Sequence, residues 1–279
     1  MIYPDDFVNQ IIKGDCMKIM VDIPSKNIDM ILCDLPYGLT NIEWDEPLNL
    51  PSLFGHYRRL IKDNGAIVLT SQQPFTTDLI NEARDIFRYE IIWQKTLPTG
   101  FLNAKRMPLK THENILIFYK KLPTYNPQKT VLMNKSGMGR VRKNSGGFPG
   151  YQEFRKDDWS YTEKGERYPC SVLNVSNWNH ALFGNTDMVI NHPTAKPVAL
   201  FEWLIKTYTN EGDIVLDNCL GSGTTALAAR NTKRRYIGIE IREDYCKIAT
   251  ERLDRVYDVE DPKNEKSVWL SRPSRNEFA

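Results

Sequence analysis

Two short apolar runs, Ile28-Asp29-Met30-Ile31-Leu32-Cys33 and Val215-Leu216, stand about 180 residues apart, and each ends in a polar turn. The first turn is Asp34-Leu35-Pro36-Tyr37-Gly38; the second is Asp217-Asn218-Cys219-Leu220-Gly221-Ser222-Gly223-Thr224-Thr225. Runs this short and this apolar read as strands buried on both faces, which is the habit of parallel sheets covered by helices. In open α/β sheets ligands bind in the crevice beyond the carboxyl ends of the strands. The chain is therefore constrained to an α/β fold with two candidate ligand turns on one sheet edge.

The remaining pattern fits around them. Gly14-Asp15-Cys16 opens a helix, and Pro24-Ser25-Lys26-Asn27 is a turn. A helix is expected over 52–62, stopped by Asp63-Asn64-Gly65. A strand follows over 66–70, then a helix from Pro74 to about Phe87. Strands at 89–93 and 114–119 flank a loop, Pro98 to Lys105. From 121 to 190 proline, glycine, asparagine, aromatic and basic residues dominate. That stretch is too long for a plain loop and reads as a small irregular subdomain. Regular texture resumes with a helix at 197–209, strand 214–217, helix 223–231, strand 235–240 and a helix from about 242 to 257. Residues 258–279 read as a tail or peripheral strap.

The chain has 279 residues and a formal net charge of +2, but the charge is uneven. Residues 95–143 hold eleven lysines and arginines against a single acid, Glu113. A basic middle on an acidic body suggests a polyanion held on one face. In that block Lys105, Arg106, Lys120, Lys121, Lys129, Arg140, Arg142 and Lys143 are the candidate nucleic-acid contacts. Cys16, Cys33, Cys170, Cys219 and Cys246 show no Cys-x-x-Cys pair, which argues against a disulfide framework or a zinc site. The histidines, His56, His112, His180 and His192, have no ligand spacing, so no metal is expected. No apolar run reaches the roughly 20 residues of a membrane helix, and a cytoplasmic protein is expected.

Strand, acid, Gly-Ser-Gly and helix make a nucleotide-type turn, in which glycines admit a ligand and the helix start supplies free N–H groups. No lysine follows the second glycine, so it is not a P-loop. The next strand ends in Glu240, an acid placed for ribose hydroxyls. This half alone fits NAD and S-adenosylmethionine equally. The first turn breaks the tie. An exocyclic amine on a base is a poor nucleophile, because its lone pair is delocalised into the ring. Two acceptors taking both amino hydrogens favour a tetrahedral nitrogen, and that preference is felt mostly in the transition state. The Asp34 carboxylate and the Leu35 carbonyl can supply them, and Tyr37 offers a face for an extruded base.

With these pieces the chain resembles the β-class DNA amino-methyltransferases, over about residues 9–257. Their Asp-Pro-Pro-Tyr motif matches Asp34-Leu35-Pro36-Tyr37, and their methionine-pocket turn matches Asp217 to Thr225. Their ribose acid matches Glu240, and their adenine-contacting acid matches Asp15. Their His-Pro-Thr-Gln-Lys-Pro segment matches His192-Pro193-Thr194-Ala195-Lys196-Pro197. The resemblance implies a Rossmann-like methyltransferase fold in circularly permuted order. It makes 1–120 the catalytic half, 121–190 a target-recognition insertion, 191–257 the cofactor half and 258–279 a tail. It implies catalytic roles for Asp34, Leu35, Pro36 and Tyr37. S-adenosylmethionine would be held by Asp15, Lys196, Asp217, Gly221, Ser222, Gly223, Thr224 and Glu240. The implied reaction is methylation of adenine N6 in DNA, by a monomer or homodimer with a possible partner endonuclease. Cytosine-N4 methylation and a catalytically silent DNA-binding module are the alternatives. Leu35 departs from the family's first proline, but the acceptor there is a backbone carbonyl, which leucine keeps.

Overall fold

The computed structural model describes residues 1–38, 46–131, 166–177 and 195–254. They form two compact units. One comprises Met1–Asn126 and the described residues from Ser171 onward; the other lies within Pro127–Cys170.

The larger unit is built on an eight-stranded sheet. Its strands are β1 (Gln10–Lys13), β2 (Ile28–Cys33), β3 (Ile61–Ser71), β4 (Phe87–Thr99), β5 (Lys110–Phe118), β8 (Val172–Asn174), β9 (Ile214–Asp217) and β10 (Arg235–Glu240). Their spatial order is β1-β10-β9-β2-β3-β5-β4-β8, and among them only β5 runs against its neighbours. β2 lies between β3 and β9. That position puts the Asp34 turn and the Asp217 turn side by side on the carboxyl edge. In the smaller unit β6 (Thr130–Val131) pairs with β7 (Glu166–Arg167).

Both sheet faces are covered. Along β2 and β3, Ile31, Cys33, Ile67 and Leu69 face one core, while Met30, Leu32, Ala66 and Val68 face the other. Helix α1 (Cys16–Ile19) and helix α2 (Leu50–Leu60) pack on the first face, with helix α3 (Phe75–Glu82) beside them. Helix α4 (Val198–Tyr208) and helix α5 (Thr224–Asn231) cover the second. Helix α6 (Glu243–Asp254) packs beside α5. The amphipathic logic is direct in α2, where Leu53, Phe54, Tyr57 and Leu60 share the buried side and the Asn49 side chain caps the Ser52 N–H at 3.0 Å.

Several boundaries differ from the sequence expectation, each for a tertiary reason. Asp63-Asn64-Gly65 is not a loop between helix and strand: α2 ends at Leu60 and β3 starts at Ile61 and runs through these residues. The pairing of β2 with β3 shifts register there, between Ile28 and Met30. A Cβ on Gly65 would sit 2.6 Å from the Asp29 carbonyl oxygen, so close strand approach explains the glycine. Helix α3 stops at Glu82 rather than near Phe87, because Phe87 is claimed by β4 and pairs with Phe118. β1, which pairs with β10, has no counterpart in the sequence reading. Neither has β8, which extends the sheet beside β4 from within the stretch read as irregular. Among the described residues no helix is long and apolar enough to cross a membrane.

Candidate active site

The carboxyl edge of the sheet opens into a cleft of about 690 Å³. Gly14 to Cys16, Asp34 to Tyr37, Asp217 to Ser222 and Glu240 to Arg242 all line it. So do Gln72, Lys95, Lys110, Glu113 and Lys196. The size lies in the roughly 300–1,000 Å³ range of pockets that enclose drug-sized ligands.

Asp34, directly after β2, is held by three donors. Its Oδ1 accepts from the Tyr37 hydroxyl at 2.8 Å and from the Thr70 hydroxyl. Its Oδ2 accepts from the Lys196 ammonium at 2.6 Å. A carboxylate has about four acceptor positions, so three donors fix its plane and leave one for a ligand. Tyr37 was expected only to offer a stacking face. Instead its hydroxyl turns back onto Asp34 and Thr70, while its ring packs 5.4 Å from Phe75. Burial, together with the Asp34 and Glu113 carboxylates, pushes the Tyr37 phenol well above its ordinary value, so it remains a donor. Leu35 is buried, and Pro36 and Tyr37 line the cleft beside it.

Lys196 was assigned to the cofactor on sequence; the structure places its Nζ on Asp34, with the ring of Tyr37 5.5 Å away. Glu113 Oε2 lies 3.4 Å from the same ammonium. Burial alone would pull this lysine down, but Asp34 and Glu113 outweigh it and hold it above its ordinary value. Lys196 therefore stays charged and acts as a donor, not as a proton acceptor. Glu113 also forms an ion pair with Lys95 at 2.5 Å and accepts from Gln72 at 3.1 Å. None of Thr70, Lys95 or Glu113 was expected at the site. Topology explains Glu113: β5 is antiparallel, so its amino-terminal end lies on the edge where the parallel strands finish. The available signal was its isolation as the single acid of the basic block, just before an apolar strand.

The second turn is braced from three sides. Asp217 is buried, accepting from the Thr225 hydroxyl at 2.5 Å and the Cys219 N–H at 3.0 Å. Its carboxyl is pushed up to about 6 by burial, against those two hydrogen bonds. Glu240, at the end of β10, accepts from the Gly221 N–H at 2.7 Å and the Arg242 N–H at 2.8 Å. Burial raises its carboxyl as well, opposed by the same backbone donors. Arg252 on α6 donates to the Ser222 carbonyl at 2.7 Å and approaches Thr224 Oγ1 at 3.3 Å. Gly221 and Gly223 take φ of 55° and 84°. At Gly223 a Cβ would come within 2.8 Å of Ala249, so that glycine serves the packing of α6. Asp15 caps α1 through the Met17 N–H at 2.9 Å and lines the cleft near Glu240.

The expected nucleic-acid residues separate. Lys105 and Arg106 are exposed in the β4–β5 hairpin loop, whose bases, Thr99 and Lys110, line the cleft. Lys120 and Lys121 are not brought there. They follow β5 on the opposite sheet edge, bonded to the Arg58 carbonyl at 2.7 Å and to Asp63 at 3.5 Å. Lys129, in the smaller unit, pairs with Glu166 at 3.4 Å and lies over the Tyr168 ring. Arg140, Arg142, Lys143, His192 and the expected tail 258–279 lie outside the described residues.

A family model described as DNA methylase matches residues 28–251, which holds both turns and the strands between them. The chain belongs to the DNA methylase family. This methylase is 31% identical to DNA adenine methyltransferase YhdJ of Escherichia coli (strain K12), over 98% of its own length and 94% of that protein. It is 28% identical to the type II methyltransferase M.BglII of Bacillus subtilis, over 88% of its own length and 69% of the relative's. The solved complex of M1.HpyAVI with SAM superimposes with a TM-score of 0.57 at 25% identity, covering 87% of the methylase and 98% of that chain. The cytosine-N4-specific PvuII DNA methyltransferase shares the fold at a TM-score of 0.58 and 16% identity.

Proposed function

We propose that this methylase transfers a methyl group from S-adenosylmethionine to the N6 amine of an adenine turned out of duplex DNA. The carrying observation is Asp34: an acid fixed by three donors, with one acceptor position left, one strand away from a glycine turn. The cofactor fits the second turn on structural grounds. Glu240 has both carboxylate oxygens anchored by backbone N–H groups and still lines the cleft, leaving lone pairs for ribose hydroxyls. The positive-φ glycines bring bare backbone to the start of α5. Asp15 and Asp217, which also line the cleft, supply further acceptors. Bound there, S-adenosylmethionine supplies an electrophilic methyl on a sulfonium.

The chain's own residues then have separable tasks. Asp34 accepts one amino hydrogen and the Leu35 carbonyl the other, drawing the nitrogen lone pair out of conjugation. Tyr37, Thr70 and Lys196 keep the carboxylate in plane, so alignment is set before reaction. No base need act before attack. The proton released from the nitrogen passes to the free position on Asp34 Oδ2 or to water. Lys105 and Arg106, at the rim of the cleft, meet the phosphate backbone. The stretch around 121–190, with Arg140 and Arg142, is read as the target-recognition insertion. A cytoplasmic location fits a DNA substrate, and a partner endonuclease fits the type II naming of several relatives.

The family resemblance favours adenine, and the name of the relative YhdJ supports the same base. Digesting methylated duplex DNA to nucleosides tests the reading. N6-methyldeoxyadenosine is expected. N4-methyldeoxycytidine would move the assignment to cytosine, and cofactor binding without any methylated nucleoside would make the protein a silent module.

A further inference from the structure

We propose that Glu113 is a positioning residue for methyl transfer, acting through Lys196 to hold the Asp34 carboxylate in its working orientation. The inference rests on the reading of the cleft as the methyl-transfer site and goes beyond it in assigning a buried charge network.

Four charges alternate inward from the wall of the cleft. Lys95 lies 2.5 Å from Glu113, Glu113 lies 3.4 Å from Lys196, and Lys196 lies 2.6 Å from Asp34. The first three side chains are only 6–8% exposed. Buried charges persist when paired and hydrogen-bonded, because desolvation otherwise exceeds the attraction. Here two ammoniums and two carboxylates cancel. Glu113 is itself immobilised: its Oε1 also accepts from Gln72, whose own carbonyl accepts from Lys110 at 2.9 Å. Its other oxygen, Oε2, accepts no hydrogen bond among the described residues and is the one nearest Lys196. It meets that ammonium as an ion pair rather than through a hydrogen bond. When Asp34 takes the amine proton it no longer balances Lys196, and Glu113 Oε2 remains as the counter-charge.

Without the Glu113 charge, two buried ammoniums would share one carboxylate. Lys196 would then lose its proton at lower pH, and with it the charge-assisted bond that orients Asp34. The groups facing Lys196 are Asp34 after β2, Glu113 on β5 with Lys95 behind it on β4, and the Tyr37 ring.

The test compares Glu113→Gln with the wild-type protein, using duplex DNA and S-adenosylmethionine. The proposal expects kcat to fall about tenfold or more, as for a misaligned reacting group. It expects KM for DNA and Kd for the cofactor to stay within about threefold, since the lost interaction is not one of uniform binding. It also expects the alkaline limb of the kcat–pH profile to move to lower pH, reporting the earlier deprotonation of Lys196. The double variant Lys95→Met/Glu113→Gln removes one charge of each sign; it should fold even if the single variant does not, and show the same displaced limb. A folded variant with kcat near wild type, or with reduced kcat and an unmoved limb, overturns the proposal. Absence of methyl transfer by the wild-type protein would instead overturn the functional reading on which it rests.

Discussion

Asp217 and Asp34 are both acids at strand ends, and their surroundings set them to different work. Asp34 is partly open and held by three donors. Asp217 is buried, and its carboxyl is pushed up to about 6. Between the ordinary value of 3.8 and about 6, the unfolded chain is ionised at this group while the folded chain is not. Fewer protons are then bound when unfolded, so Asp217 lowers stability as pH rises across that window. Cofactor binding should run the other way. If the ionised Asp217 accepts from the cofactor's ammonium group, S-adenosylmethionine affinity rises as pH climbs through about 6. Asp217→Asn should bind more weakly above that point and show a flat profile. Calorimetry from pH 5 to 8 checks this; a wild-type profile already flat would remove the ammonium role and leave Asp217 as a brace of the turn.

At the scale of elements, the β2–β3 crossing and the β4–β5 hairpin make separate demands. Gly65 lets β3 approach Asp29 where the register shifts. Gly65→Ala should destabilise the fold by about 1–3 kcal/mol, as overpacking does, with cofactor affinity unchanged in the folded fraction. Denaturant unfolding would show it, and a neutral result would mean the strand can shift to admit a methyl group. The hairpin loop presents Lys105 and Arg106 beside exposed Phe101 and Leu102. Replacing either cation by alanine should weaken binding to all sequences alike and reduce the slope of log K against log salt by about 0.9. An unaltered slope returns that residue to the solvated surface. Lys120→Ala, on the opposite edge, should leave the slope as it is.

For the molecule as a whole, the sequence was most legible where chemistry and strand ends coincide. β2, β9 and β10 and both polar turns could be read from apolar runs and the residues that finish them. Asp34 and Glu240 stand at those ends, so local pattern sufficed to find them. What pattern could not supply was pairing across the sheet. β1 and β8 are short edge strands whose only justification is the neighbour they pair with. Glu113 reaches the site because β5 is antiparallel, and Lys95 because it lies toward the carboxyl end of the neighbouring β4, placements that no local periodicity records. Lys196 was noticed but assigned to the cofactor, since nothing in its own segment indicates that its side chain meets a turn 162 residues away. The basic block was read as one surface. The fold divides it between the cleft rim, the far sheet edge and a separate unit.

The most direct measurement is on Asp34→Ala, with cofactor binding and methyl transfer followed on the same preparation. S-adenosylmethionine affinity should stay within about threefold of wild type, because the cofactor turn is built on other strands, and methylation of duplex DNA should be undetectable. Methyl transfer at a rate comparable to wild type would contradict this, since the amine would then be aligned by something other than this carboxylate.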